Sequence, residues 1–481
     1  NSPDNTRRYR EIVDLLQARR LIDAVGVQGH AFSTSCETPI EVHRAALDLL
    51  GASGLPLYVT ELDIDGYTDA DQLTHYQRIF PLFWEHPAVA GITLWGFRPG
   101  LWRQEQRAYL IDEYGRERPA LRWLRDYVAG RVQAAPEPCP APASVLDGPI
   151  TGALALIENG EPLPLLVDAE DAEAVLRAAA AVRKDLLALA GSEPAADAAN
   201  AIIAGTLGQS PRIDRLVAAG KLEVEDLVGR WEAYSLQVVY QPEDGIERAL
   251  VIVGADRRGT VFGLYELVRR LGVSPWTFWA DVPIPQRAQA WVSPGRQLDA
   301  PAVRYRGIFI NDEEPALGTW TRATYGGSNH RFYERVFELI LRLKGNYLWP
   351  AMWGRAFYDD DPENAALAEA MGVVIGTSHH EPMMRAHVEW ARHGDGPWDY
   401  ARNGERLRAF WREGVERLQG REAVLTLGMR GDGDEAMSDH TATELLERIV
   451  AEQRTIISDV TGHAPERTPQ VWALYKEVQD Y

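Results

Sequence analysis

Short apolar runs and amphipathic stretches alternate along the chain. "IDAVGVQGH", "LPLYVTELDI" and "VAGITLWGF" are continuously apolar runs ending at His30, Ile64 and Phe97. Runs of this kind, separated by helices, predict parallel strands buried on both faces. "TPIE" announces the first intervening helix: Thr38 caps, Pro39 suits the first helical position and Glu41 completes a capping box. Its apolar run "VHRAALDLL" stops at Gly51. A second helix is predicted over about 71–85, before Pro87. Polar groups stand at the C-terminal end of each strand: Gln28 and His30, Glu61 and Asp63, then Trp95. That is the end at which (β/α)8 barrels keep their chemistry.

After residue 130 the periodicity stops. Residues 131–147, "RVQAAPEPCPAPASVLD", are rich in Pro and Ala and read as a stiff linker. Residues 148–298 read as a small α/β domain. "DAEDAEAVLRAAAAVRKDLLALAG" is an amphipathic helix, "AIIAGTLG" and "ALVIVGADRRG" are strands entering Gly-rich turns, and "TVFGLYELVRRLG" is a helix ending at Gly272. From about 299 the strand–helix rhythm returns. "YRGIFINDEE", "GNYLWPAMWG", "VVIGTSHHEP", "AVLTLGMRGDGDE" and "QVWALYKE" are five strand ends carrying acids, His or Trp. The expected architecture is therefore α/β, with two incomplete (β/α)8 TIM-type barrels flanking a small accessory domain. Residues 1–130 would supply the last three units of one barrel, and 299–481 the first five of the other.

The length of 481 residues accommodates this division, and an apolar fraction of 46% is enough for large cores. A formal charge of −20 argues against nucleic acid or anionic membranes as partners. No apolar stretch is long enough to predict a membrane span. Fifteen tryptophans are many. Most serve as core, but indole faces on loops suit sugar rings. Cys36 and Cys139 lie on opposite sides of the expected domain boundary, which argues against a structural disulfide. Both ends look cut within longer elements, so no secretion signal is observable.

Several motifs carry chemistry. A Glu in a buried strand is costly unless paired or functional, so Glu61 in "TELDI" is either an ion-paired core residue or a catalytic carboxylate. Glycoside hydrolysis needs two carboxyls, about 5–5.5 Å apart for retention and wider for inversion. "GADRRGT" has phosphate-loop spacing, but Thr260 stands where Lys is required, so a tight strand-to-helix turn is the better reading. In "SHHEP", His379 and His380 are adjacent. On a strand they would point to opposite sides, and Glu381-Pro382 rules out a zinc-binding HExxH helix, so no metal is expected. In "RGDGDE", Asp432 and Asp434 alternate with Gly. An EF-hand reading fails on spacing, leaving a solvated acidic turn or a ligand-facing one.

Two resemblances emerge from these motifs. "IDAVGVQGH", "YVTELDI", "YQRIFPLFWEHPAVAGITLWGF", "GLWR" and "PALRWLRDYV" together resemble the C-terminal part of a glycoside hydrolase family 10 endo-1,4-β-xylanase, over about 1–130. The resemblance implies that Glu61 is the retaining nucleophile, with His30 hydrogen-bonded to it, Gln28 beside it, and Trp95 and Trp102 walling the sugar subsites. The family's acid/base Glu sits in a "WDVVNE"-type motif that does not occur here, and the expectation is that the chain starts after it. "GVSPWTFWADVP", "YRGIFINDE", "RLKGNYLWPAMW", "VIGTSHHEPMMR", "TLGMRGDGDE" and "VWALYKEVQDY" resemble glycoside hydrolase family 115 over about 148–481. Its members are inverting xylan α-1,2-glucuronidases. This resemblance implies a general acid at Glu477, catalytic or water-orienting acids at Asp312 and Asp434 with Asp432 competing, and sugar contacts from Asn311, Trp349, His380 and Arg430. Glu266 is expected to reach the site from the accessory domain. Arg430 fits a uronic acid, because Arg binds carboxylates bidentately.

The implied function is a fragment of a bifunctional glucuronoxylan-degrading enzyme without cofactor, secreted or periplasmic in its parent form. A carbohydrate-binding fragment without turnover is the alternative.

Overall fold

The computed structural model describes residues 3–34, 40–65, 69–104, 106–132, 145–148, 153–195, 198–312, 314–437 and 442–473. Both cysteines, Thr38, Pro39, most of the linker and Glu477 lie outside these residues. Internal contacts group the chain into two compact units. One is 1–144 with 223–228 and 293–297; the other is 145–222, 229–292 and 298–481.

The first unit runs α1 (Pro3–Ala18), β1 (Val25–Gly29), a single turn α2 (Ala31–Thr34), α3 (Ile40–Gly51), β2 (Leu57–Leu62), α4 (Asp69–Glu85), β3 (Val89–Leu94) and α5 (Pro119–Val128). The strands form one parallel sheet in the order β1-β2-β3. Leu57, Val59 and Leu62 of β2 are buried against Leu47, Leu50, Ile79, Phe80 and Phe83 of the helices. Burial of such side chains contributes about 1.5–3 kcal/mol each. The strands are not buried on both faces as their apolar runs predict. Gly26, Gln28, Tyr58 and Thr60 are exposed, Tyr58 by 44%. Helices cover one face of this sheet, and the residues alternate accordingly.

A β-bulge breaks that alternation where it matters. Val27 pairs with Val59 but Gln28 pairs with Glu61, and β2 slips against β3 at the same place. One extra residue in β2 turns Thr60 and Glu61 toward the same side. Without it, Glu61 would point into the helix-covered core.

In the second unit, the strand Arg248–Gly254 pairs in parallel with Asn200–Thr206 and antiparallel with Tyr234–Tyr240. The helices Glu173–Ala190 and Arg257–Arg270 pack together beside these strands. The first ends at Gly191 in the left-handed region, as its sequence predicts. The strands Gly307–Phe309, Tyr347–Trp349 and Val374–Ile375 then pair in parallel in sequential order. A parallel bridge joins Ile375 to Ala423, and Leu425–Thr426 pairs in parallel with Gln470–Val471. A strand lies in each of the five segments read from the sequence, and the end of the last, from residue 474 on, lies outside the described residues.

The expected boundary at 298–299 is crossed by ion pairs. Arg258, 3% exposed, binds Glu232 and Glu422. Arg342 binds Asp185 at 2.8 Å, and Lys344 reaches Glu266 at 3.2 Å. Among the described residues no helix is long and apolar enough to cross a membrane.

Candidate active sites

Two clusters of functional side chains form, one in each unit. In the first, the bulge brings Gln28 and Glu61 together at the C-terminal end of β1 and β2. Gln28 Nε2 donates to Glu61 Oε1 at 2.9 Å, and His30 Nε2 lies 3.1 Å from Glu61 Oε2. Each carboxylate oxygen thus has its own donor, which fixes the plane of the group. The other ring nitrogen of His30 binds Asp63. Asp63 is fully buried and also accepts from the Ala31 amide at 3.2 Å and Trp102 Nε1 at 3.1 Å. The His30 and Trp102 rings lie 5.5 Å apart. Trp102, 39% exposed, presents ring surface beside the carboxylate network, and Trp95, 42% exposed, follows β3 with its amide donating to the Leu62 carbonyl at 2.8 Å. Gly96 holds φ +67°, and a Cβ there would come within 2.4 Å of Trp102 Cβ, so glycine sets the close approach of these two segments. A cavity of about 940 Å³ opens beside β1, lined by Tyr9, Gly26, Gln28, His30, His43 and Thr60.

Asp63 stands among the strand-end acids of the sequence, but its role emerges only from this network. It orients the histidine that orients Glu61. The signal was the alternation in "TELDI", which the bulge reinterprets.

In the second unit, the loops after four successive strands converge through a chain of contacts. Trp353 Nε1 donates to Asn311 Oδ1 at 3.0 Å, and the Trp353 ring lies 5.7 Å from that of His380. His380 Nε2 sits 3.1 Å from Met352 Sδ, and its ring is 5.7 Å from His387. His387 Nε2 lies 2.8 Å from Asp432 Oδ1. Arg430 is buried, and its carbonyl accepts from Trp398 Nε1 at 2.9 Å.

Asp312 is 7% exposed, and its Oδ1 has no hydrogen-bond partner among the described residues. Burial pushes its carboxyl up to about 6, against the opposing pull of backbone amides and of Arg355. Glu381, also buried, accepts from Ser378 Oγ and from the His387 amide, both at 3.0 Å. Burial nonetheless carries it up to about 7. Desolvation of the charged form dominates in both acids.

Several expectations change. His379 and His380 do not lie on a strand, because extended backbone ends at Ile375. The two rings pack edge to face at 5.0 Å rather than on opposite sides. Glu266 does not reach the Asp312–His380 cluster through any contact among the described residues. Burial would raise its pKa, but Arg269, Arg270 and Lys344 hold it down to about 2. It is the centre of an ion-pair knot. Trp349 packs edge-on to Phe309 and donates to the Tyr347 hydroxyl at 2.6 Å; Trp353, four residues on in "WPAMWG", is the indole that joins Asn311 and His380. Asp432 is exposed on a turn and bonded to His387. The Asp434 side chain and Glu477 lie outside what the structure describes. The "GADRRGT" turn is occupied by its own chain: Asp256 caps the helix Arg257–Arg270 by accepting from the Arg258 and Gly259 amides.

In comparison with known proteins, the two parts match different family models. Residues 1–127 match the model of glycosyl hydrolase family 10, and residues 298–481 match that of glycosyl hydrolase family 115. Endo-1,4-beta-xylanase B of Cellvibrio japonicus is 38% identical over 126 residues, 26% of this chain and 20% of that protein. Endo-1,4-beta-xylanase 1 of Arabidopsis thaliana is 34% identical over 112 residues, 22% of this chain and 11% of that protein. The chain thus spans a fifth or less of these two relatives. The solved structure of a family GH115 4-O-methyl-alpha-glucuronidase, BtGH115A, with specificity for decorated arabinogalactans, aligns with a TM-score of 0.60 at 34% identity. That alignment covers 70% of this chain and 44% of that one.

Proposed function

We propose that the chain is a piece of a bifunctional glycoside hydrolase acting on glucuronoxylan. One part cuts the β-1,4-xylan backbone with retention. The other removes α-1,2-linked glucuronate or its 4-O-methyl form with inversion. In this reading β1–β3 are the last three units of one (β/α)8 barrel, and the five strand segments after residue 306 are the first five of another. Residues 148–298 form the accessory domain. Sequential parallel pairing, with polar groups gathered at the C-terminal strand ends, supports it.

In the first site Glu61 attacks the anomeric carbon and a glycosyl-enzyme ester forms, which water then hydrolyses. Gln28 and His30 hold the carboxylate for in-line attack, and Asp63 holds His30. Retention needs a second carboxyl about 5–5.5 Å from the first. Asp63 is buried and engaged, so the acid–base group would come from outside these described strands.

In the second site Arg430 pairs with the sugar carboxylate through a bidentate contact. Asp312 takes the proton from the attacking water, and Glu477 protonates the leaving oxygen. Asp434, or Asp432 beside it, orients the water. The observation that carries this reading is Asp312, a buried carboxyl with one unpartnered oxygen and a pKa of about 6. A general base works best when its pKa lies near the working pH. A polymeric substrate implies a secreted or periplasmic parent.

The test is proton NMR of sugar released from glucuronoxylan and from uronate-decorated arabinogalactan, the latter because of the substrate named for BtGH115A. The β-anomer of the uronic acid is expected first. Early α-anomer, or no uronate from either polymer, would sink the inverting site. Xylan binding without turnover favours the second reading, a carbohydrate-binding fragment, which the exposed sheet face around Tyr58 and Thr60 supports.

A further inference from the structure

One ring nitrogen faces two incompatible partners. His387 Nε2 lies 2.8 Å from the carboxylate oxygen Asp432 Oδ1 and 2.9 Å from the Gly433 amide nitrogen. A bare Nε2 accepts from the amide. A protonated Nε2 donates to the carboxylate. It cannot do both. The turn it touches, closed by the Gly431 amide donating to the Glu435 carbonyl at 2.9 Å, follows directly on Arg430.

We propose that His387 is a protonation-driven latch on the acidic turn 431–435, and through that turn a positioning residue for Arg430. In the neutral state its Nε2 holds the Gly433 amide, and Asp432 keeps an uncompensated charge two residues from Arg430. On protonation, with the proton drawn from solvent to the partly exposed ring, Nε2 releases the amide and pairs with Asp432. Arg430 then meets an anionic sugar with less competition.

The surroundings favour such a role. The His387 amide is held by Glu381, so the start of its helix does not move with the ring. Trp398 packs on the ring at 6.0 Å and holds the Arg430 carbonyl, tying the latch and the Arg430 backbone to one frame. Among the described residues, the charged and titratable groups in contact with His387 are Asp432 on the turn and, on the preceding loop, His380 against its ring and Glu381 on its amide; Glu389 on its own helix is bound instead by Arg385, Arg417 and the Ala386 amide. The effect on sugar binding rests on the uronate reading of Arg430; the latch itself does not.

Hydrogen exchange of peptides covering 428–437, corrected for intrinsic exchange, tests it on the full chain from about pH 5 to about pH 8. In the wild type the Gly433 amide is expected to lose about fivefold protection on acidification, the worth of one hydrogen bond. His387→Gln offers a carbonyl to the amide and an amide to the carboxylate at once, so its protection should not change with pH. His387→Phe should be unprotected throughout. A pH step that survives in H387Q belongs to Glu381 or Asp432 and overturns the latch, as does a wild type with no step. Calorimetric binding of D-glucuronic acid separates the two claims. Tighter binding at the acid end in wild type but not in H387Q supports the coupling. An exchange step without any glucuronate binding keeps the latch and removes the uronate reading.

Discussion

Replacing Asp312 with Asn should make the protein more stable and the second site inactive. The Asp312 carboxyl is buried, and its folded pKa is about 6 against 3.8 for the free group. A rise of that size corresponds to at most about 3 kcal/mol, and solvent screening at the mouth of the site lowers the expected figure to about 1–2 kcal/mol. The sign follows from which form burial disfavours. Below pH 4 the carboxyl is neutral in both folded and unfolded chains, and nothing is lost. As pH rises from about 4 to about 6, the unfolded chain ionises first, and folded stability falls. Above about 6 the full penalty persists. Asn does not ionise, and it can still accept the backbone bond that Met352 provides. Urea unfolding of wild type and Asp312→Asn should therefore coincide near pH 4 and diverge by about 1–2 kcal/mol above pH 6, with the variant more stable. Glu381 titrates in both proteins and cancels from the difference. A pH-independent difference, or a less stable variant at neutral pH, would refute the assignment of Asp312 as a desolvated, unpartnered acid.

Other perturbations test the remaining structure. Gly96→Ala forces a side chain into φ +67° and against Trp102, and should cost about 2 kcal/mol or more in denaturant unfolding while blunting xylan binding. Arg258→Met leaves Glu232 buried without that partner, so a loss of about 3–5 kcal/mol is expected in the melting of the second unit. Glu61→Gln should end backbone cleavage of xylan in an enzyme carrying the whole first barrel and leave glucuronate release unchanged; loss of both activities by product analysis would count against two independent sites. Arg430→Lys exchanges a planar fork for a point charge, and kcat/KM on glucuronoxylan should fall about tenfold to a hundredfold, with little change on a neutral aryl glycoside.

Stability and chemistry pull on different residues in the two units. The acids that hold the fold, Glu232 and Glu266, are buried with cations around them. The acids proposed for catalysis are treated otherwise. Asp312 is buried with Arg355 near but not bonded to it among the described residues, and Glu61 is held by neutral or ring donors at the edge of an open face. A carboxylate saturated by guanidinium groups is a poor base or nucleophile, so this difference separates Glu266 from the site that the sequence resemblance offered it.

Much was legible from sequence because it is local. The apolar runs place the strands ending at Gly29, Leu62 and Leu94 and the five strand segments from Gly307 to Val471. Gly191 ends its helix in the left-handed region, and Gly51, the last residue of its own helix, leaves room for Ala88. The acids at the strand ends follow from the same pattern. Other features required the folded chain. A two-residue period cannot reveal the bulge at Thr60, because register is set by the neighbouring strands, and that bulge is what turns Glu61 beside Gln28. Sequence cannot rank Asp312, Asp432 and Glu266 either. They are alike as residues and differ only in which groups reach them through space: nothing bonded to Asp312 Oδ1 among the described residues, His387 on Asp432, and three cations on Glu266. Periodicity is a property of neighbours along the chain. Arg269 and Arg270 lie within one helical turn of Glu266, but the burial of these acids, Lys344 on Glu266 and His387 on Asp432 come from residues tens of positions away, and they decide which acids can do chemistry.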